Sequence, residues 1–377
     1  MNQLYIGLMS GTSIDGVDGV LVEFNAPMPA LSLTVLAHSH RPFEAPLAAE
    51  LLALNTPGSN ELHRAALAGN GVARAYAVVT DALLQSSGMS REQVRAIGAH
   101  GQTVRHQPQE FDGTGYTLQL LNGPLLAELG GIDVVADLRS RDVAAGGQGA
   151  PLVPAFHRAV FGAADMAGAV LNIGGISNLT SLHANGSTTG FDCGPGNALM
   201  DHWCQSHTGQ PYDAGGAWAA SGVVLMPLLQ QLLSDPYFTA PAPKSTGRDR
   251  FNPAWLTANL NALAAANALR AQDVQATLTE LTAVSCADAT RQHAPDARLL
   301  LVCGGGAFNA HLMSRLAALL PGVDVRSTGE FGLPPTQVEA AAFAWLARAF
   351  CRREYGSLAA VTGAAGGRVL GALYPAR

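Results

Sequence analysis

The stretch Ile6-Gly-Leu-Met-Ser-Gly-Thr-Ser-Ile-Asp-Gly-Val-Asp-Gly-Val-Leu-Val22 decides the fold class. Apolar runs flank a short cluster of Gly, Ser, Thr and Asp, so it reads as strand, small-residue turn, strand. A second stretch, Val170-Leu-Asn-Ile-Gly-Gly-Ile-Ser-Asn-Leu-Thr-Ser-Leu182, shares little identity with the first but repeats its pattern. Each stretch opens a group of three short strands. The first group is Leu4–Met9, Val17–Phe24 and Leu31–Ala37, and the second is Ala169–Ile173, Asn178–His183 and Thr188–Phe191. Helical periodicity follows at Glu61–Leu84 in the first half. In the second half it recurs at Asn197–Ser206, Val223–Leu233, Pro253–Leu269 and Gln272–Ala294. Further strands are predicted at Ala96–Ala99, Tyr116–Leu121, Ile132–Ala136 and Leu299–Cys303, with helices at Phe308–Leu320 and Gln337–Arg353. Two such copies predict an α/β protein of duplicated halves with a cleft between them. Two unrelated α/β domains are the alternative. The reading assigns 1–160 with 335–377 to one domain and 161–334 to the other.

Bulk properties narrow the partners. The chain has 377 residues, 48% hydrophobic and 13% charged, enough for two cores. Its net charge of -6 argues against nucleic acid or an anionic membrane as a partner, because either favours a basic face. Nucleotide binding through backbone N–H groups and a metal ion stays compatible with that charge. The start MNQLYIGLMSG lacks a basic region and a long apolar run, so no secretory signal is expected. No apolar run is long enough to span a bilayer. Cys193, Cys204, Cys286, Cys303 and Cys351 are dispersed, which reads as reduced thiols in a cytoplasm. The sequence leaves oligomeric state open, a homodimer being one option.

Four motifs carry chemistry. Gly11-Thr12-Ser13-Ile14-Asp15-Gly16-Val17-Asp18 sits between two strands. Its consecutive N–H groups and hydroxyls suit a phosphate, and Asp15 beside a polyphosphate requires a cation such as Mg²⁺. An ordinary Asp-Gly hairpin is the plain alternative. Gly174 and Gly175 make a second such turn without the acid. In Gly304-Gly305-Gly306 a strand enters a helix with backbone exposed, which suits the flat face of adenosine. Asp192 ends a strand at Gly194-Pro-Gly-Asn197, where a carboxylate either accepts a proton or caps the following helix.

These residues together resemble one family closely, the anhydro-N-acetylmuramic acid kinases, of the superfamily of sugar kinases, heat-shock ATPases and actin. The resemblance runs through MSGTSIDGVD (9–18), AHGQTVRHQP (99–108), VVADLRSRDVAAGGQGAPLVPAFH (134–157), NIGGISNLT (172–180), GFDCGPGNALMDHW (190–203), PKSTGRDRFN (243–252), CGGGAFN (303–309) and EAAAFAWLA (339–347). It implies a duplicated actin-like, ribonuclease H-like ATPase fold, ATP with Mg²⁺ at the hairpins, and Asp192 as general base. The implied reaction opens the 1,6-anhydro ring of the sugar while O6 takes the γ-phosphate. Departures are small: Cys193 stands where the family usually has Thr, Leu138 where it has Phe, and Pro335-Thr-Gln-Val where a segment with an acid is usual.

The sugar contacts are read more loosely. His100, Gln102, Arg105 and His106 form a polar group placed in a loop. Arg105 and Arg139 are candidate forks for the lactyl carboxylate, and Asn197 lies beside the Gly-Pro-Gly turn. By resemblance Glu330 bonds the sugar; an exposed acid is the alternative. Arg141 and Asp142 either serve a ligand or pair with each other. Lys244-Ser-Thr-Gly-Arg248 reads as a cationic loop that closes over substrate or packs a domain junction, with packing preferred. His38 and His40 share a strand face without further metal ligands. Rival functions are a kinase for an ordinary hexosamine hydroxyl and an actin- or chaperone-like ATPase.

Overall fold

The computed structural model describes residues 3–25, 31–162, 167–242, 244–247, 250–263 and 269–376. Their contacts divide them into two compact units, 1–161 with 337–377, and 162–336. In chain order the strands of the first unit are β1 (Gln3–Met9), β2 (Gly16–Asn25), β3 (Ser32–Pro42), β4 (Val94–Ala99), β5 (Gln102–Pro108), β6 (Gly115–Leu120) and β7 (Val134–Ala136). The second unit holds β8 (Gly168–Ile173), β9 (Ile176–Leu182), β10 (Thr188–Pro195), β11 (Leu299–Cys303) and β12 (Asp324–Ser327); β13 (Ala372–Tyr374) returns to the first.

The first sheet runs β13-β7-β4-β1-β2-β3 and the second β10-β9-β8-β11-β12. With β13 set aside, the two share one plan. Three strands form an antiparallel meander, and two more join the first of them in parallel. This is the duplicated ribonuclease H-like, actin-type plan expected from the sequence. The turn chemistry produces it: small residues end β1 and β8 abruptly, and apolar runs on both sides pair antiparallel.

Each unit has its own core. In the first, Ile6, Leu8, Val72, Tyr76, Leu83 and Ile97 pack the helix Glu61–Ser87 onto the sheet. In the second, Leu171, Ile173, Leu278, Leu281, Leu300 and Val302 pack the helix Ala271–His293. Of the expected helix Pro253–Leu269, Pro253–Leu263 is formed and 264–268 lie outside the described residues. Gln102–Pro108 is a strand and not the loop read from its polarity. It pairs only with β6 in a two-stranded ribbon, so it lacks the apolar alternation by which a strand is recognised. Among the described residues no helix is long and apolar enough to cross a membrane.

The helix Val338–Cys351 lies on β1 and β4, and two glycines set how close it comes. A Cβ on Gly7 would sit 1.8 Å from the Ala340 carbonyl oxygen, and one on Gly98 would sit 1.9 Å from that of Phe343. Neither neighbour is a side chain that can swing away. Gly98→Ala therefore lowers the stability of the first unit by about 1–3 kcal/mol or more, the cost of overpacking against backbone. A denaturant midpoint unchanged from wild type would contradict this packing.

Candidate active site

In the first unit the turn joining β1 to β2 is held from beneath by its carbonyls. His100 Nδ1 meets the Ser10 carbonyl at 3.0 Å, and Gln102 Nε2 donates to the Gly11 carbonyl at 3.0 Å. Ile14 N–H also donates to Gly11 O, with Ile14 in the left-handed region at φ 58°. A β-branched residue rarely adopts that conformation, so the turn is held under strain. Ser10, buried, bonds Tyr76 and the Gly101 carbonyl. The N–H groups of Gly11, Thr12 and Ser13 take no partner among the described residues, and neither does the exposed Asp15 carboxylate.

Arg139 joins this group. Its Nε and Nη2 donate to His100 Nε2 at 3.2 and 3.0 Å, and Nη1 donates to the Gly149 carbonyl at 2.8 Å. His100 is thereby a neutral imidazole with its proton on Nδ1. Burial, then the Arg139 charge, pushes its pKa down to about 3. Burial also lowers Arg139 to about 10, against the pull of Glu339 and Asp142. Glu339 opens the helix Val338–Cys351. Burial raises its pKa, Asp18 and Asp15 raise it further, and Arg139 opposes them. The sequence reading passed over Glu339; the available signal was an acid heading the otherwise apolar EAAAFAWLA. Asp18 itself bonds His40 and His38 at 3.1 and 3.4 Å. Gln102 Oε1 is fully buried and has no hydrogen-bond partner among the described residues.

Other expected contacts are engaged elsewhere. Arg105, mid-way along β5, pairs with Glu61 and donates to the Leu54 carbonyl. Asp142 accepts from Gly149 N–H and the Thr362 hydroxyl, and it does not pair with Arg141.

The second unit repeats the arrangement. Gly174 O accepts from Asn197 N–H at 2.7 Å, and Gly175 O accepts from Gly196 and Ala198 N–H. Asn197 Nδ2 donates to the Ile173 carbonyl at 3.0 Å, so its amide ties the Gly-Pro-Gly turn to the hairpin. The buried Thr282 hydroxyl holds the same turn through the Pro195 and Gly196 carbonyls at 3.1 Å. Gly304, at φ 78°, packs where a Cβ would meet Asn172 Oδ1 at 2.5 Å. Gly305 and Gly306 begin the 3-10 turn Gly305–Phe308 beside Ile173 and Asn197. The N–H groups of Gly174 and Gly175 are left without partners among the described residues. Glu330 is satisfied locally, bonding Arg326 and the Ser327 N–H in a capping box.

Asp192 lies within β10, which continues past the expected end to Pro195; it is partly buried, and burial raises its pKa. Oδ2 accepts from the Ser245 hydroxyl and Thr246 N–H, each at 3.0 Å, and these bonds pull the pKa back. Oδ1 has no partner among the described residues. The loop read as packing thus also touches the carboxylate; Arg248 lies outside the described residues.

The model of the anhydro-N-acetylmuramic acid kinase family matches residues 3–376. The chain belongs to that family. It is 64% identical to the anhydro-N-acetylmuramic acid kinase of Variovorax paradoxus, over 99% of each chain. It is 59% identical to that of Albidiferax ferrireducens over 100% of each. Among solved structures, the activator of the 2-hydroxyisocaproyl-CoA dehydratase from Clostridium difficile with bound ADPNP aligns at TM-score 0.47 and 12% identity, covering 94% of this chain and 96% of that one.

The state of His100 has a consequence for this family member. Its folded pKa of about 3 lies below the ordinary 6.5, so the unfolded chain binds the proton first. The stability contributed by holding His100 neutral is fully present above pH 6.5 and is lost as pH falls from there toward 3. Urea midpoints should decline below pH 6.5, and His100→Asn should flatten that decline. Equal slopes in the two proteins would mean that His100 is not held neutral.

Proposed function

We propose that the chain hydrolyses the 1,6-anhydro bond of 1,6-anhydro-N-acetylmuramic acid and transfers the ATP γ-phosphate to O6, giving N-acetylmuramic acid 6-phosphate. Family membership across residues 3–376 makes the chain an ATP-dependent sugar kinase. The observation that carries the finer reading is Asp192. It is a partly buried carboxylate with one oxygen held and the other open.

The chemistry of the sugar dictates the role of that carboxylate. O6 of the anhydro sugar bridges C6 and C1 and has no proton to lose. A base aimed at O6 would have nothing to remove. In the proposed step Asp192 Oδ1 takes a proton from water. The resulting hydroxide bonds to C1 on the face opposite O6 as the C1–O6 bond breaks. The electron pair of that bond stays on O6, which bonds to the γ-phosphorus as ADP leaves. A raised pKa improves the match between this base and neutral pH.

The two turns are proposed as phosphate-binding elements. Gly11, Thr12 and Ser13 in one unit, and Gly174 and Gly175 in the other, present unpartnered N–H groups. Ile14, Gly16, Val17 and Asp18 frame the first turn, and Gly304, Gly305 and Gly306 are proposed to face adenosine. Such preorganised donors stabilise charge without rearranging. Among the described residues no three His, Cys, Asp or Glu side chains gather as a metal cage. One free carboxylate beside open N–H groups instead fits Mg²⁺ that keeps water and phosphate ligands. Asp15 would hold that ion, which when bound neutralises charge on the transferring phosphate. His100, Gln102 and Arg139, themselves bonded within the chain, are proposed to line the sugar site, with the buried Gln102 Oε1 as an acceptor that has no partner among the described residues. Arg105, Asn197 and Glu330, likewise bonded within the chain, are proposed as further sugar contacts. The thiols of Cys193, Cys204 and Cys286 are buried and joined in no disulfide among the described residues, which supports the proposal of a reducing cytoplasm.

Incubation with the anhydro sugar, ATP and Mg²⁺ should yield a sugar heavier by one phosphoryl group and one water. Asp192→Asn should lower this turnover by about 10²–10⁴, the range for a lost general base, with ATP affinity little changed. A product heavier by a phosphoryl group alone, or full activity in the variant, would refute the proposed chemistry.

A further inference from the structure

Asp192 is aimed by an irregularity in its own strand. The register of β10 on β9 shifts between Asp192 and Gly194, making Cys193 an extra residue. A bulge of this kind bends the strand and redirects a side chain. β10 is also the edge of its sheet, and the segment Lys244–Thr246 lies along that edge. Asp192 N–H donates to the Lys244 carbonyl at 3.1 Å, and the Asp192 carbonyl accepts from the Tyr237 hydroxyl at 2.7 Å. Lys244 Nζ in turn donates to the carbonyls of Tyr237 and Phe238 at 2.9 and 3.2 Å. The segment is therefore anchored independently of the carboxylate it touches. On that anchored segment the Ser245 hydroxyl and Thr246 N–H both point at Oδ2, and neither at Oδ1.

We propose that Ser245 and Thr246 are positioning residues that clamp Oδ2 of Asp192 and so make Oδ1 the proton acceptor. This rests on the reading of Asp192 as the base. Two donors on one oxygen fix the carboxylate plane, so the open lone pair of Oδ1 keeps one direction toward the water. Both bonds also favour the ionised carboxylate, lowering a pKa that burial raises. The clamp and the burial thus oppose each other.

The groups around Asp192 separate cleanly by pH. Tyr237, packed beneath it, and Cys193, next in its strand, are pushed upward, chiefly by burial for the phenol and by Cys286 for the thiol. Both stay neutral through the acid range. Lys244 is lowered by burial from 10.5 and belongs to an alkaline limb. Two acid-range groups remain: Asp235, which burial raises but whose bonds from Tyr237 N–H, Arg250 and Trp255 lower it overall, and His293, lowered by burial, whose ring lies 4.4 Å from that of Phe191. Neither bonds Ser245 among the described residues.

The test is the pH profile of kcat/KM for Ser245→Ala, Ser245→Thr and Asp192→Asn, with the anhydro sugar as substrate. Ser245→Ala should lose about tenfold in kcat, with the KM for ATP unchanged. Its acid limb should move to higher pH, because a donor to the charged form is gone. Ser245→Thr, which keeps the hydroxyl, should restore both rate and limb. An acid limb that stays in place in Ser245→Ala, while Asp192→Asn is inactive, overturns the clamp and leaves Asp192 as base. An active Asp192→Asn overturns the base assignment and the clamp with it.

Discussion

Both halves of the chain depend on the same use of backbone polarity. A tight turn between two antiparallel strands exposes carbonyls and N–H groups alike. Here the carbonyls are taken up from within the unit, and the N–H groups are left facing out. His100, Gln102 and the Ile14 N–H do this for Ser10 and Gly11. Asn197, Gly196 and Ala198 do it for Ile173, Gly174 and Gly175. The result is a turn with unpartnered N–H donors in each half of a protein of net charge -6. The donors that occupy the carbonyls must themselves be fixed, and the surrounding structure serves that end. Arg139 holds His100 in one tautomer, and Thr282 on the buried helix Ala271–His293 holds the Gly-Pro-Gly turn.

Much of this was legible in the residue string because turn chemistry is local. The spacing of Gly, Ser, Thr and Asp around 10–16 and of Gly-Gly at 174–175 was enough to place both hairpins. Strand ends fell within a few residues, and Leu299–Cys303 fell where expected. The duplicated plan followed from two copies of one order of strands and helices, and its actin-like form from the family resemblance. Asp192 stood out because an acid that ends a strand before Gly-Pro-Gly has few structural reasons to be there.

What escaped the sequence is what long-range contact decides. Ser245 and Thr246 reach an acid more than fifty positions away, and no period or motif encodes that meeting. Arg105 read as a carboxylate fork because its own partner, Glu61, opens a distant helix. Glu330 read by resemblance as a sugar contact, with an exposed acid as the alternative, and its place in a 3-10 turn whose first residues it caps was not legible. Glu339 lay hidden as one charge in an apolar helix. Its significance came only from the Arg139, Asp15 and Asp18 charges around it. The strand Gln102–Pro108 was missed because a ribbon of two strands has no core face to mark it.

The central claim is that water attacks the sugar carbon while O6, and not water, attacks phosphorus. Isotopic labelling tests this most directly. Reaction of the anhydro sugar with ATP and Mg²⁺ in ¹⁸O-enriched water should place the label on the C1 hydroxyl of the product and none in its phosphate. Label in the phosphate, or in free phosphate released without sugar product, would mean that water attacks phosphorus and would contradict the account.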